Sequence, residues 1–265
     1  MHKWLLIALI FSLNSYAEIG EISELRGNGE VLRKDQTDKL LAKTALDIFS
    51  YDDVRTGNGR IGITFLDSTV VRLTEHSKII IDEYIYDPDP SKSKMALKMA
   101  SGTARFITGA LGKIDKENIS IETPSASIFI RGTDFTTTVD ELGRSLVILL
   151  PSPDGSSSGE ITVETMAGIE VLNQPFQATM VSMSESPPTK PVTLTNMTLG
   201  FIDNLLIVAP PDEVQQAVDE QSQSSNNVLD ADFLEENDLD DDSDLSKDEL
   251  QEEIEERRIN PTLSL

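Results

Sequence analysis

Arg60-Ile61-Gly62-Ile63-Thr64-Phe65, followed by Leu66-Asp67-Ser68 and then Thr69-Val70-Val71-Arg72-Leu73, decides the fold. Ile61, Ile63 and Phe65 alternate with Arg60, Gly62 and Thr64, and successive side chains on a strand point to opposite faces, so the three apolar groups share one face. Asp67-Ser68 reads as the turn of a hairpin. Downstream, Lys78–Tyr86 reads as another strand, which Asp87-Pro88-Asp89-Pro90-Ser91 ends because proline cannot donate to a ladder. Further strands are expected at 96–99, 103–107, 118–123, 127–131, 135–139, 145–150, 160–165 and 169–172. From Glu18 to about Val208 the chain therefore reads as short strands at 8–12-residue intervals, the pattern of an all-β sandwich, barrel or solenoid. Short helical turns are expected only near 39–45 and 201–208.

Two blocks around this stretch carry a family pattern. The first is Asp52-Asp53-Val54-Arg55-Thr56 with the Asp67-Ser68 hairpin, and the second is Thr123-Pro124-Ser125-Ala126-Ser127-Ile128-Phe129-Ile130-Arg131-Gly132-Thr133-Asp134-Phe135. In this order they resemble the FecR-type periplasmic domain, over roughly Gly20 to Val139 and loosely to Leu172. The resemblance implies a solenoid-like β fold outside the cytoplasmic membrane. The family's hairpin usually reads Asp-Gly, so Ser68 is expected to keep the turn with altered geometry. The family's best-known members relay a signal from an outer-membrane receptor to a sigma factor, through a cytosolic segment and a membrane span. Neither is read in this sequence, and the relay role is not expected to carry over.

The ends of the chain differ from its middle. Met1-His2-Lys3, the apolar run Trp4–Leu13 and the small residues Ser15 and Ala17 fit a cleavable secretory signal over 1–17. The run is half the roughly 20 residues a span requires, and 199–209 is short and broken by Asp203 and Asn204. The sequence therefore predicts an exported chain, periplasmic or secreted, with no membrane insertion after cleavage. There is no cysteine, hence no disulfide, thiolate site or lipidated cysteine. Of the net charge of −24, residues 212–256 hold −18 (19 acids, one lysine), leaving −6 for the rest. The domain is expected over 18–209 and an acidic tail, partly helical or disordered, over 210–265. Nucleic acid and anionic membrane are poor partners for such a charge; a basic protein or a divalent cation is compatible with it.

Within the tail, Asp238–Glu249 follows a twelve-residue calcium loop. Asp238, Asp240, Asp242 and Glu249 fall at the carboxylate positions, Asp244 would give its carbonyl, and Ser246 takes the position often bridged by water. Ser243 stands where glycine normally makes the sharp turn, a misfit of about 1 kcal/mol. Leu229, Phe233 and Leu234 before the loop, and Leu250 and Ile254 after it, suit flanking helices. Two readings stand, a calcium site or a solvated acidic segment.

Arg131-Gly132 is either a recognition point or an internal pair, Arg131 meeting Asp134 or Asp53. Asp67, Ser68 and His76 hold the letters of a hydrolytic triad, and His76 is the only histidine after the signal. No nucleophile elbow, phosphate loop or zinc-binding histidine pair accompanies them. The sequence thus favours a non-enzymatic module that binds or scaffolds an envelope or extracellular protein. The alternatives are an accessory in receptor-coupled signalling, and a hydrolase using His76 or a carboxylate pair.

Overall fold

The computed structural model describes residues 17–34, 36–113, 118–195 and 210–235. The calcium loop expected over 238–249 and, but for Ala17, the export signal lie outside them. The body is all-β, as the alternation predicts, with a helix at its end. The strands are β1 (Glu18–Leu32), β2 (Leu40–Leu41), β3 (Asp47–Phe49), β4 (Asp53–Phe65), β5 (Val70–Leu73), β6 (Lys78–Ile85), β7 (Lys94–Ile107) and β8 (Ile119–Glu122). They continue as β9 (Ser127–Arg131), β10 (Asp134–Val139), β11 (Ser145–Leu149), β12 (Glu160–Thr165), β13 (Gly168–Leu172), β14 (Gln177–Val181) and β15 (Val192–Thr193), and helix α1 spans Asp212–Glu235.

Not all strands are short. β1, β4 and β7 run for 15, 13 and 14 residues and turn the sheet on itself. The first half of β7 lies between β6 and parallel β8, and its second half between β5 and β10. One layer is therefore β1-β4-β5-β7-β10-β11-β14-β15, and the other is β6-β7-β8-β9-β12-β13. The change of neighbours falls at Gly102, which has φ +86°; a Cβ there would stand 2.4 Å from the Ser77 Cα, so only glycine fits the bend. The 96–99 and 103–107 strands expected separately are two arms of this one strand.

Between the layers the inward residues form one core. Ile61, Ile63, Val71, Leu73 and Phe106 from the first layer meet Ile79, Ile81, Leu97, Ile121, Ile128 and Ile130 from the second. Phe106 stacks on Phe135 with centroids 4.9 Å apart. A smaller apolar cluster sits on the outer face of the first layer. There Leu146 and Ile148 of β11, and Ala178 and Met180 of β14, pack with Val214 from the start of α1. Asp212 and Glu213 open that helix, where their charge suits the N-terminal end of the macrodipole. No described helix is long and apolar enough to cross a membrane.

Candidate functional site

The motif residues are mostly pinned inside the fold. Asp67 is buried, and its carboxylate accepts from the Thr69 N–H (3.1 Å), the Thr69 hydroxyl (2.6 Å), the Leu111 N–H (3.1 Å) and the Tyr84 hydroxyl (3.0 Å). The same hydroxyl accepts from the Asp67 N–H, while the Tyr84 ring stacks on Phe65. Burial, followed by the Asp67 charge, pushes the Tyr84 hydroxyl above the usual phenol range. Ser68 keeps the turn at φ +69°, a left-handed geometry that glycine would take without strain.

Asp52 is also buried. Its Oδ2 accepts from the Phe49 N–H at 3.0 Å, and desolvation raises its pKa from 3.8 to about 6 against the pull of that bond and of Arg33. At neighbouring Asp53, burial opposes ionisation, but the Arg55 fork (2.9 and 2.7 Å) and Lys78 outweigh it and the pKa falls.

The triad letters do not assemble. Asp67 and Ser68 form the turn before β5 and His76 the turn after it, at opposite ends of a strand rising about 3.3 Å per residue. His76 is exposed, at φ +54°, and its N–H donates to the Gly57 carbonyl. The internal pairing expected for Arg131 is also absent. Asp134 is taken by Arg105 (2.9 and 2.7 Å) and Asp53 by Arg55 and Lys78, because the register sets those cations opposite or beside them. Arg131 is exposed and makes no ion pair among the described residues. Asp238, Asp240, Asp242, Asp244, Ser246 and Glu249 lie outside the described residues, within which no group of three or more His, Cys, Asp or Glu side chains gathers.

What the register does assemble is a row of cations. Across the outer face of the first layer, Glu24 of β1 lies opposite Gly62 of β4, Gly62 opposite Arg72 of β5, Arg72 opposite Arg105 of β7, and Arg105 opposite Thr136 of β10. One step along, Arg26 lies opposite Arg60. Four of the chain's ten arginines thus surround one concavity of about 310 Å³, with Glu24, Gly62, Thr74, Thr103 and Thr136. Directly opposed like charges destabilise a sheet, by about 0.2–1 kcal/mol per pair before solvent screening. Two such pairs, Arg26–Arg60 and Arg72–Arg105, stand side by side here.

Gly62 leaves the middle of the row open. Its φ lies outside the left-handed region, so glycine is there for space; an added Cβ would press on the Glu24 Cβ at 3.1 Å, where a bulge brings β1 close. The floor hydroxyls are already engaged. Thr136 donates to the Ala104 carbonyl (3.1 Å), Thr74 to the Thr103 carbonyl (3.2 Å), and Thr103 shares a bond with Thr138 (2.9 Å). Two acids offset part of the charge. Asp134 grips Arg105 where both side chains are largely covered (14% and 19% exposed), whereas Glu24 meets Arg26 in solvent at 74% and 43%, a much weaker contact. Arg72 is exposed and has no hydrogen-bond or ion-pair partner among the described residues. The groove therefore gathers four guanidinium groups on one face, donors of the kind that pair with anions. Sequence reasoning missed it, although Arg60, Arg72 and Arg105 each follow or precede a core residue and so had to share the outer face.

The FecR protein family model matches residues 52–151, which spans β4 to β11 and includes three of the four arginines. No curated protein matches the chain. Two crystal structures from Parabacteroides distasonis ATCC 8503, each assigned as a candidate anti-sigma factor, resemble it in part. One, at 2.50 Å, is 15% identical with a TM-score of 0.43, covering 57% of this chain and 64% of the other. The second, at 1.65 Å, is 16% identical with a TM-score of 0.37, covering 49% and 54%. The chain spans less than two thirds of either one's length.

Proposed function

We propose that the protein is an exported, non-enzymatic binding module that takes an anionic envelope or extracellular component on the arginine groove. The observation that carries this is the gathering of two directly opposed arginine pairs, Arg26–Arg60 and Arg72–Arg105, around one concavity in a chain of net charge −24. Directly opposed like charges do not stabilise the sheet, and an anionic partner would complement them. The polar residues that a catalytic reading would need, Asp67 and His76, are respectively saturated by internal donors and isolated in a turn.

The test is capture of components from envelope extract by the immobilised full chain, compared with the Arg60→Glu/Arg72→Glu variant. A profile that the reversal leaves unchanged overturns the reading. The FecR match over 52–151 favours a second reading, an accessory in receptor-coupled signalling with a protein partner. Crosslinking that returned no membrane receptor in either background would count against it. The segment 238–249 is proposed as a calcium-responsive appendage, with Asp238, Asp240, Asp242, Asp244, Ser246 and Glu249 as its ligands. Calorimetric titration with calcium, parent against Glu249→Gln, checks it, and silence in both leaves only a solvated acidic tail.

A further inference from the structure

The second layer ends on an open edge. Strand β13 pairs with β12 on one side, and no described strand pairs with it on the other. Which of its backbone groups face that side follows from the register. The Thr123 N–H donates to the Ala126 carbonyl, so Ala126 and Ile128 of the second strand bond toward β8, while Ser127, Phe129 and Arg131 bond toward β12. The alternation carries on without a bulge: Thr162 and Glu164 bond to β9, Val163 and Thr165 to β13. On β13 itself the N–H and C=O groups of Gly168, Glu170 and Leu172 are thereby engaged. Those of Ile169 and Val171 point to the open side, where no described group bonds them. The same two residues expose their side chains on the outer face, at 57% and 39%. Other ends of the sheet are blunted, as unpaired edges usually are. β2, β3 and β15 are two or three residues long, and β1 is broken by two register shifts. The open end of β6 carries Asp82 and Glu83, paired with Lys98 and Lys94. β13 has no bulge, proline or lysine. Its charge is of one sign: between Arg144 and Lys190 the chain has five acids and no lysine or arginine. Glu170 sits between Ile169 and Val171 on the opposite face, and Glu164 stands across from Ile169.

We infer that the β13 edge docks an extended segment of another protein, added as a further strand with apolar residues opposite Ile169 and Val171 and a lysine or arginine opposite Glu170. Strand addition draws affinity from main-chain hydrogen bonds and specificity from alternate side chains, and β13 offers both. A second copy of the chain is the poorer occupant. Antiparallel pairing about Glu170 would match Ile169 with Val171 but set glutamate against glutamate, between chains of net charge −24. The chain's own acidic tail, −18 over 212–256, meets the same objection. This surface lies on the other layer from the arginine groove and stands or falls without it.

The experiment is amide hydrogen exchange, read residue by residue by NMR on the full chain, with and without a synthetic peptide of alternating lysine and valine. The acidic tail also attracts such a peptide, so the readout is the site of protection and not affinity alone. Binding is expected to slow exchange at the Ile169 and Val171 amides, and to alter Glu170 and Leu172, already bonded to β12, much less. Val171→Pro removes an outward N–H and no ladder bond, and should raise the peptide concentration that protects Ile169 by about tenfold or more. Glu170→Lys should turn the preference toward a peptide of alternating glutamate and valine, a reversal that a misfolded variant could not show. Leu142→Lys, at an exposed apolar residue in another turn, leaves protection unchanged. No protection at Ile169 and Val171, or protection of Ile169 that survives Val171→Pro, overturns the docking edge. Equal protection of the parent by both peptides overturns the basic partner. A chain that sediments as a dimer, with Ile169 and Val171 protected before peptide is added, overturns the inference in favour of a second copy.

Discussion

Asp52→Asn should make the protein more stable at neutral pH, through a mechanism that pH itself isolates. Asp52 is 1% exposed, and its Oδ2 accepts one backbone N–H, from Phe49. Desolvation raises its pKa from 3.8 to about 6. For a carboxyl whose folded pKa exceeds its unfolded one, the folded state holds the proton longer. The stability this gives is full below about pH 3.8 and is lost as pH rises through about 6. The rise from 3.8 to about 6 corresponds to at most about 3 kcal/mol lost between those limits. The amide cannot ionise, and its oxygen can still accept from Phe49. The assay is urea unfolding of parent and variant at several pH values from 4 to 7.5. The difference between the two proteins cancels every other titrating group, as well as any fixed packing effect of the amide. It should shift in favour of the variant by about 2–3 kcal/mol from pH 4 to 7. A difference independent of pH would refute the reasoning. Asp53→Asn should run the other way: its folded pKa is lowered once Arg55 and Lys78 outweigh burial, so its contribution is present at neutral pH and lost in acid.

Three further substitutions probe the polar interior. Tyr84→Phe keeps the stack on Phe65 but removes the hydroxyl that bonds Asp67 twice, and should cost about 1–3 kcal/mol in denaturant unfolding; a cost near zero would mean the Asp67 network does not depend on it. Ser68→Gly relieves a left-handed residue at φ +69° and should stabilise by up to about 1 kcal/mol, read as a rise in midpoint at unchanged slope. Thr137→Val replaces a fully buried hydroxyl that has no partner among the described residues, and should gain about 1 kcal/mol in the same assay, whereas a loss would show that the hydroxyl is satisfied in solution.

How far the sequence could be read depended on where information sat along the chain. Arg60–Leu73 gave a hairpin because apolar and polar residues alternate without interruption, and β4 and β5 pair there as the pattern requires. β1 gave no such signal, since Ile19, Ile22, Leu25 and Val31 do not keep a period of two. The structure explains the lapse by irregularities between Ile22 and Glu24 and between Gly27 and Gly29, each shifting the register against β4. The bend in β7 hid in the same way: Gly102 reads as a break between strands, but it carries the chain round a corner while the strand continues. Asp67 shows the limit for polar residues. Its place in a hairpin was legible, but its partners Tyr84 and Leu111 come from distant segments.

The groove was illegible for the same reason, and its origin bears on its purpose. Arg26, Arg60, Arg72 and Arg105 are scattered over some eighty residues, and only strand register brings them together. That register cannot slip to relieve their repulsion, because a one-residue shift would move Ile61, Ile63, Val71, Leu73 and Phe106 from the core to solvent. The positions facing outward are thus dictated by the core, but the residue types at them are not. The same outer face, continued along the row from Thr136 to Ile148 and Ala178, is apolar and covered by the start of α1. One half of the face is therefore closed by the chain's own helix, and the other half carries like charges that threonine or glutamate could replace with no loss to the core. The four arginines are thus fixed in place by the register, and their type is not dictated by the core.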